Sequence, residues 1–251
     1  MKLQEYFTDP SKSAQENQQI HDFYTNKLNK IMEVTKKPPS VTIYYENDDL
    51  WFHFKIPDEE LTNHYFYDVV FVFYPTSKKD VNESKDILNY EVKFFSNDPG
   101  FMFKYCYEFN KSGILVDALK SRLSSRALTE PANVMNPNHE LRFPKTLYFA
   151  YITMENFGLT EKKNMQAQGV TKLNRSFFVQ RITSSQTIYN KRQTIKKTSK
   201  SIDKIVKNVT KPIEDINVKF SKTISSIGNA KTTKSTKSTK STSNIKKTKR
   251  K

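Results

Sequence analysis

The sequence is poor in the residues that many metal, cofactor and secretory functions require. Among its 251 residues there are one Cys, five Gly and four His. A single Cys excludes a disulfide framework and a zinc site of the Cys-x-x-Cys type, and the His residues have no metal-ligand spacing such as His-x-x-x-His. No run approaches about 18 apolar residues, and the beginning of the chain has no apolar signal core. We therefore expect neither a transmembrane helix nor a secretory signal.

Charge and aromatic residues divide the chain into two parts. Residues 1–160 carry 22 acidic and 18 basic side chains and 28 of the 32 aromatic residues, whereas residues 161–251 carry 4 acidic and 24 basic side chains. This distribution predicts an aromatic-rich globular head and a basic tail that is mostly too polar to form a core. The predicted domains are a head at 1–160, ending between 160 and about 182, a basic linker with an amphipathic helix at 183–228, and a disordered tail at 229–251.

The first part of the head carries helix and hairpin signals. Ser13 and Glu16 fit a capping box that opens a helix. Period-two alternation over 41–45 and 50–56, separated by the turn residues 46–49, predicts a β-hairpin. The more polar face of this hairpin presents Trp51, His53 and Lys55.

Three more strands and two more helices complete the predicted head. Strands are expected over 65–74, 88–94 and 101–109, followed by helices over 114–123 and 147–156. Short connections favour antiparallel pairing, because parallel strands need a long crossover. The predicted fold class is α+β: an antiparallel sheet of about five strands packed with three helices, followed by a basic amphipathic helix and a disordered Lys/Ser/Thr-rich tail.

The tail is the strongest functional signal in the sequence. A basic run at 191–200 precedes apolar residues spaced by three and four over 202–227, and a Lys repeat follows. Lysines placed near phosphates release counterions, so such a segment binds nucleic acid without sequence preference. The predicted contact residues in the tail are Lys191, Arg192, Lys196, Lys197, Lys200, Lys231, Lys234, Lys237, Lys240, Lys246, Lys247, Lys249, Arg250 and Lys251. An anionic membrane surface is the other partner that a basic amphipathic segment fits.

Two arginines of the head form a second candidate contact. Arg122 and Arg126 stand four residues apart on a predicted helix, a spacing that would let them clamp adjacent phosphates. The alternative interpretation is a solvated helix face.

One pattern suggests an enzyme. Asp68 lies in a predicted strand, and Glu91 and Lys93 form a Glu-x-Lys motif in a later one. This spacing resembles the PD-(D/E)xK nuclease superfamily, and the resemblance implies Mg²⁺ held by the two carboxylates, with the Lys assisting the attacking water. The same Glu-x-Lys motif also occurs at Glu83 and at Glu161, and Glu91 and Lys93 fall on the polar side of an alternating strand.

Aromatic residues offer a further way to bind nucleic acid. The stripe at 101–109 would stack unpaired bases if it lay on an exposed sheet, although such stripes more often form a core. Trp51, on the polar face of the hairpin, is the better stacking candidate. Cys106 is expected to be a buried apolar residue rather than a nucleophile.

Taken together, these features predict a non-enzymatic, nucleic-acid-associated protein with no cofactor. In composition the chain resembles accessory proteins of bacteriophages and other DNA viruses, which implies a virion or nucleoprotein component. The head would dock on a protein assembly while the tail neutralises phosphate. The expected location is inside a cell or a virion. The alternatives are the Mg²⁺-dependent nuclease and a scaffolding protein that pairs through the helix at 202–227.

Overall fold

The computed structural model describes residues 1–58, 66–75 and 87–206. The strands are β1 (Ser40–Glu46), β2 (Asp49–Pro57), β3 (Phe66–Tyr74), β4 (Glu91–Ser96) and β5 (Val170–Lys172). The helices are α1 (Leu3–Phe7), α2 (Ala14–Thr35), α3 (Pro99–Lys104), α4 (Cys106–Lys111), α5 (Ser125–Thr129), α6 (Lys145–Asn156), α7 (Lys162–Gln168), α8 (Arg175–Arg181) and α9, which is helical from 185 to the last described residue, 206. Two short 3₁₀ helices lie at Ile87–Asn89 and Asp117–Arg122. This architecture confirms the α+β class.

The sheet has five strands in the order β4-β3-β2-β1-β5. Strands β1 to β4 form the predicted antiparallel meander, with Ile43 opposite Phe52, Phe52 opposite Phe71 and Phe71 opposite Phe94. Strand β5 joins the free edge of β1 in parallel, so the sheet is mixed. The chain reaches that edge only after the long crossover that parallel pairing requires.

One face of the sheet forms the main core beneath α2 and α6. Helix α2 begins at the predicted capping box, in which Ser13 Oγ accepts from the Glu16 amide and the Glu16 carboxylate accepts from the Ser13 amide at 2.8 Å. Phe52, Phe54, Phe71 and Phe94 on this face are fully buried. Their alternation along the strands produces the buried face, as period-two patterning requires.

The other face of the sheet is covered by α8. The Phe178 ring lies 5.8 Å from Trp51, 5.2 Å from His53 and 5.4 Å from Tyr44, measured between ring centroids. Arg175 places its guanidinium over the Trp51 ring. The predicted stacking role of Trp51 is therefore wrong, because only 1% of this residue is exposed.

The predicted strand over 101–109 is wrong, since these residues form α3 and α4. Phe101, Tyr105 and Phe109 satisfy a period of two and also a helical spacing of four, and as helix residues all three are buried. Asp98 caps α3 by accepting from the Gly100 amide at 3.0 Å, and Pro99 occupies its first turn. The aromatic stripe at 101–109 was expected to stack bases only if it lay on an exposed strand, so this prediction is wrong as well.

The predicted helix over 114–123 is also different in the structure. Leu115 forms a parallel bridge with Phe94, and only Asp117–Arg122 is helical, as a 3₁₀ turn. The next helix, α5, begins at Ser125. The predicted helix over 147–156 is confirmed as α6, and Gly158 follows it with a φ of +60°, a conformation that favours glycine.

The chain divides into two units, Met1–Thr194 and Ile195–Lys251. The predicted end of the head, between 160 and about 182, falls inside the first unit. Residues 161–194 supply apolar side chains to its core: Met165, Leu173, Phe178, Ile182 and Ile188. In the second unit, the structure describes 195–206, which are helical.

Candidate nucleic-acid interface

The three residues of the nuclease motif are not brought together. Asp68 lies beside Asn97 at one end of the β3–β4 pair, whereas Glu91 pairs with Tyr74 at the other end. Six residues along β3 separate these positions, which is about 20 Å of extended chain. Two carboxylates at this distance cannot share a metal ion. Within the described residues, no group of three or more His, Cys, Asp or Glu side chains could hold one.

Each member of that motif instead has a local partner. Lys93 Nζ donates to Asp117 Oδ2 at 2.7 Å. Glu91 is exposed and lies 3.8 Å from the amino group of Met1. These contacts explain why the two residues occupy the polar side of β4.

Asp68 is the centre of a buried polar cluster on the α8 side of the sheet. Its Oδ1 accepts from Lys55 Nζ and lies 2.7 Å from His53 Nε2, and its Oδ2 accepts from Asn97 Nδ2 at 2.9 Å. Burial by itself would raise the pKa of the Asp68 carboxyl, but the contacts with His53 and Lys55 outweigh burial and lower that pKa. Asp68 is therefore a charged structural residue.

Asn97 extends this cluster to the chain beyond α8. Its Nδ2 also donates to the Thr183 carbonyl at 3.0 Å, and its Oδ1 accepts from the Asp68 amide at 2.8 Å. The side chain thus joins β3 to the segment that leads into α9. This contact holds residues 175–183 over the sheet.

Arg192, predicted to bind nucleic acid, lies in a buried ion pair. Its Nη2 donates to Asp58 Oδ1 at 3.0 Å, and its guanidinium lies 5.5 Å from the Tyr67 ring centroid. The side chain of Arg192 is 15% exposed and that of Asp58 is fully buried. Its predicted role as a phosphate contact is wrong, because the guanidinium is committed to the core of the first unit.

The predicted helix face, on which Arg122 and Arg126 would clamp adjacent phosphates, is wrong as well. Arg122 ends the 3₁₀ turn and Arg126 belongs to α5, so the two residues do not share a helix face. Arg122 is partly buried. Arg126 is exposed and its Nε donates to Glu130 at 2.7 Å. No common phosphate site follows from this arrangement.

The basic run predicted at 191–200 continues as an exposed helix. Lys196, Lys200 and Lys204 recur every four residues of α9, and Lys197 lies beside them, so the four lysines form one face. All four are exposed. Lys191 is exposed as well, at the part of α9 that belongs to the first unit.

Exposed apolar side chains occupy the opposite side of the same helix. Ile195, Ile202 and Val206 lie there and are 41%, 54% and 51% exposed. Residues 195–206 are therefore amphipathic, as the sequence predicts for the segment from 202 onward. The rest of that segment, 207–227, lies outside the described residues, as do the tail candidates Lys231, Lys234, Lys237, Lys240, Lys246, Lys247, Lys249, Arg250 and Lys251.

A groove between the sheet and α8 is a candidate that sequence reasoning missed. We call it the Phe177 groove, and its volume is about 320 Å³. Its principal lining side chains are Tyr44, His53, Lys55, Lys172, Phe177 and Arg181. The lining contains three cationic side chains and no acidic one. These side chains come from β1, β2, β5 and α8, so no local pattern in the sequence indicates the groove.

No family model, curated protein or solved structure matches this chain. In the described part of the chain, no helix combines the length and apolar character needed to cross a membrane.

Proposed function

We propose that this protein is a non-enzymatic, nucleic-acid-associated protein that binds the phosphate backbone without sequence preference through its basic C-terminal region. It acts inside a cell or a virion, as a nucleoprotein component whose first unit docks on a protein assembly. The observation that carries the proposal is the basic face of α9, formed by Lys196, Lys197, Lys200 and Lys204. In the sequence, residues 207–251 add further lysines and few acids.

The chemistry of that face suits a diffuse polyanion. Lysine is a compact point charge on a flexible stem, so it neutralises phosphates without the bidentate geometry by which arginine reads guanine. The chain contains 42 Lys and Arg residues, of which only seven are Arg. In residues 195–206 the only acidic side chain is Asp203. Attraction to phosphate is therefore opposed there by a single negative charge.

The positions of the carboxylates do not favour the nuclease alternative. Its metal site needs Asp68 and Glu91 within reach of one ion, and the sheet keeps them apart. Both oxygens of the Asp68 carboxylate also accept or contact protein side chains, namely His53, Lys55 and Asn97, and only 2% of this side chain is exposed. Neither Mg²⁺ nor a hydrolytic step enters the proposal.

A salt series on the full chain tests the proposed function. The variant replaces the lysines of the basic face by glutamine: Lys196→Gln, Lys197→Gln, Lys200→Gln and Lys204→Gln. Each phosphate contact contributes about 0.9 to the slope of log Kobs against log salt for duplex DNA. Loss of four contacts should lower the magnitude of that slope by about 3 to 4, as measured by fluorescence anisotropy with a labelled duplex.

A matched variant separates the basic face from net charge. It removes the same number of charges from exposed lysines of the first unit: Lys12→Gln, Lys30→Gln, Lys36→Gln and Lys162→Gln. This control should change the slope by less than one contact. Equal slopes for wild type and for the basic-face variant would overturn the proposal.

The exposed apolar side of α9 favours a second function in the same region. Ile202, Ile205 and Val206 are each at least half exposed, and one helix face of this kind is ordinarily covered by a partner helix. A scaffolding role, in which this segment pairs with another chain, follows from it. Light scattering of the full chain should then show a larger mass than that of the Ile202→Ser, Ile205→Ser double variant.

A further inference from the structure

The Phe177 groove combines exposed cations with an exposed aromatic ring. Phe177 is 57% exposed, although its neighbour Phe178 is buried against the sheet. The guanidinium of Arg181, one turn later on α8, lies 5.5 Å from the Phe177 ring centroid. Lys172, at the end of β5, is exposed and lines the same groove. A flat ring and two cations thus share one concave surface.

The two cations at the rim of the groove, Lys172 and Arg181, are not paired with an acidic side chain within the part of the chain that the structure describes. The nearby acid Glu46 is bound instead by Arg175, whose Nε donates to it at 2.8 Å. A groove that holds uncompensated positive charge attracts an anion.

Two of the lining side chains, His53 and Lys55, are paired with the buried carboxylate of Asp68 behind the groove. Because Asp68 is only 2% exposed, its charge is directed at these partners rather than at the groove. Two lining cations, Lys172 and Arg181, therefore remain for a ligand, and the protein need not rearrange its core to receive it.

We propose that the Phe177 groove binds an unpaired nucleotide of single-stranded nucleic acid, with the base stacked on Phe177 and the adjoining phosphate held by Lys172 and Arg181. The inference rests on the proposed function and adds to it a contact that prefers single strands. Aromatic rings accept a base only when its face is free, and in a duplex that face is covered by neighbouring pairs. Arg181 would contribute both its charge and its planar contact with the ring.

Two properties of the groove favour a nucleic acid over a partner with charge alone. A phosphate by itself would need the cations but not an exposed aromatic ring. An apolar peptide would need the ring but would leave Lys172 and Arg181 uncompensated. Alternating base and phosphate is the polymer chemistry that meets both requirements.

The test measures binding of the full chain to an oligothymidine of about 12 nucleotides by fluorescence anisotropy, at a salt concentration where backbone attraction is weakened. Loss of one base–aromatic stack should weaken the Kd of Phe177→Ala for the oligothymidine roughly 5- to 150-fold. Affinity for duplex DNA should not change. Lys172→Gln and Arg181→Gln should each weaken binding of the oligothymidine and of inorganic polyphosphate, whereas Phe177→Ala should leave polyphosphate binding unaltered.

Matched controls use the same substitutions at other exposed sites. Phe23 is 60% exposed on α2, so Phe23→Ala removes an equally exposed ring, and Arg126→Gln removes an exposed guanidinium. Neither should change the affinity for oligothymidine. Because Phe177 and Arg181 are exposed, circular dichroism should show unaltered folding of their variants.

The outcomes distinguish this inference from the proposed function. If Phe177→Ala binds oligothymidine as tightly as wild type does, while the basic-face variant loses salt-dependent binding, the groove proposal is overturned and the proposed function stands. If wild type binds neither duplex nor oligothymidine at low salt, the proposed function fails and the groove proposal with it. If Phe177→Ala loses affinity for oligothymidine but keeps its affinity for duplex DNA, both the groove proposal and the proposed function are supported.

Discussion

The buried carboxylate of Asp68 joins β3 to β2 and to the residue that follows β4. Its partners His53, Lys55 and Asn97 approach from both sides in the plane of the sheet. A charged group in such a position is tolerated because several donors replace the water it has lost. The role of Asp68 is to hold together the face of the sheet that α8 covers. Because its carboxylate is buried and engaged by these partners, it is not available as a metal ligand.

Replacing this carboxylate by an amide should destabilise the fold. Asp68→Asn removes the negative charge that His53 and Lys55 share, and breaking a buried pair by removing one partner costs about 3–5 kcal/mol. Because Lys55 is 41% exposed and can turn to solvent, we expect the lower end, about 3 kcal/mol, measured by urea denaturation. Asp117→Asn is the control, since Asp117 pairs with Lys93 and Lys120 but is 62% exposed, and it should cost less than about 1 kcal/mol. A similar loss in both variants would contradict the assignment.

Asp68 should also contribute to acid denaturation. Its pKa is lower in the folded state than the ordinary value of about 3.9. A carboxyl of this kind stabilises the fold above its unfolded-state pKa, and its contribution is lost as the pH falls through the folded-state pKa. The free energy of unfolding of wild type should therefore drop below about pH 4 more steeply than that of Asp68→Asn. Parallel curves for the two proteins between about pH 4 and pH 2 would show that another group is responsible.

At the level of secondary structure, the sequence predicted those elements whose signals are local and unambiguous. The capping box at Ser13, the hairpin of β1 and β2 and the apolar strand β3 were all found where the pattern placed them. The segment over 101–109 was mispredicted because its aromatic spacing fits both a strand and a helix. There the decisive signal was the cap formed by Asp98 with Pro99 behind it, a start signal for helices.

The capping box makes a quantitative prediction about α2. Ser13→Ala removes the hydroxyl that accepts from the Glu16 amide, and loss of an N-cap side chain typically costs about 1 kcal/mol. Thermal unfolding followed by circular dichroism should show a correspondingly lower Tm. Ser176→Ala, at an exposed helical position for which the structure shows no side-chain hydrogen bond to a described residue, provides the comparison. A Tm for Ser13→Ala equal to that of Ser176→Ala would mean that the cap contributes nothing to stability.

The Phe177 groove could not be predicted from the sequence because it depends on tertiary placement. Lys172 reaches it only because β5 pairs with β1, at a separation of more than a hundred residues. Phe177 and Phe178 are adjacent and chemically identical, and only the orientation of α8 decides which one is buried. A pattern of spacing carries no information about either fact. The buried pair of Arg192 with Asp58 was missed for the same reason, since a basic run looks uniformly exposed in one dimension.

Over the whole molecule, the net charge of +16 arises from a part of the chain that adds little to the core. The first unit, Met1–Thr194, contains the sheet and the buried aromatic residues. Residues beyond it carry most of the excess lysine and, where described, are exposed. We therefore expect that lysine variants of α9 alter the proposed phosphate binding without altering the folding of the first unit.

Shortening the chain should show where the folding unit ends and where the proposed phosphate-binding region begins. A protein that ends at Thr160 loses five buried apolar side chains: Met165, Leu173, Phe178, Ile182 and Ile188. At about 2 kcal/mol each, their burial contributes roughly 10 kcal/mol, which is as large as the total stability of a typical domain. We expect the protein ending at Thr160 to lack a cooperative thermal transition and to bind a hydrophobic dye, because Trp51 and the rest of the α8 face become exposed.

A protein ending at Thr194 keeps β5, α8 and the Arg192–Asp58 pair, so it should unfold within a few degrees of the full chain while its salt-dependent affinity for duplex DNA falls. A cooperative transition of the shorter protein at the temperature of the full chain would mean that residues 161–194 do not belong to the folding unit.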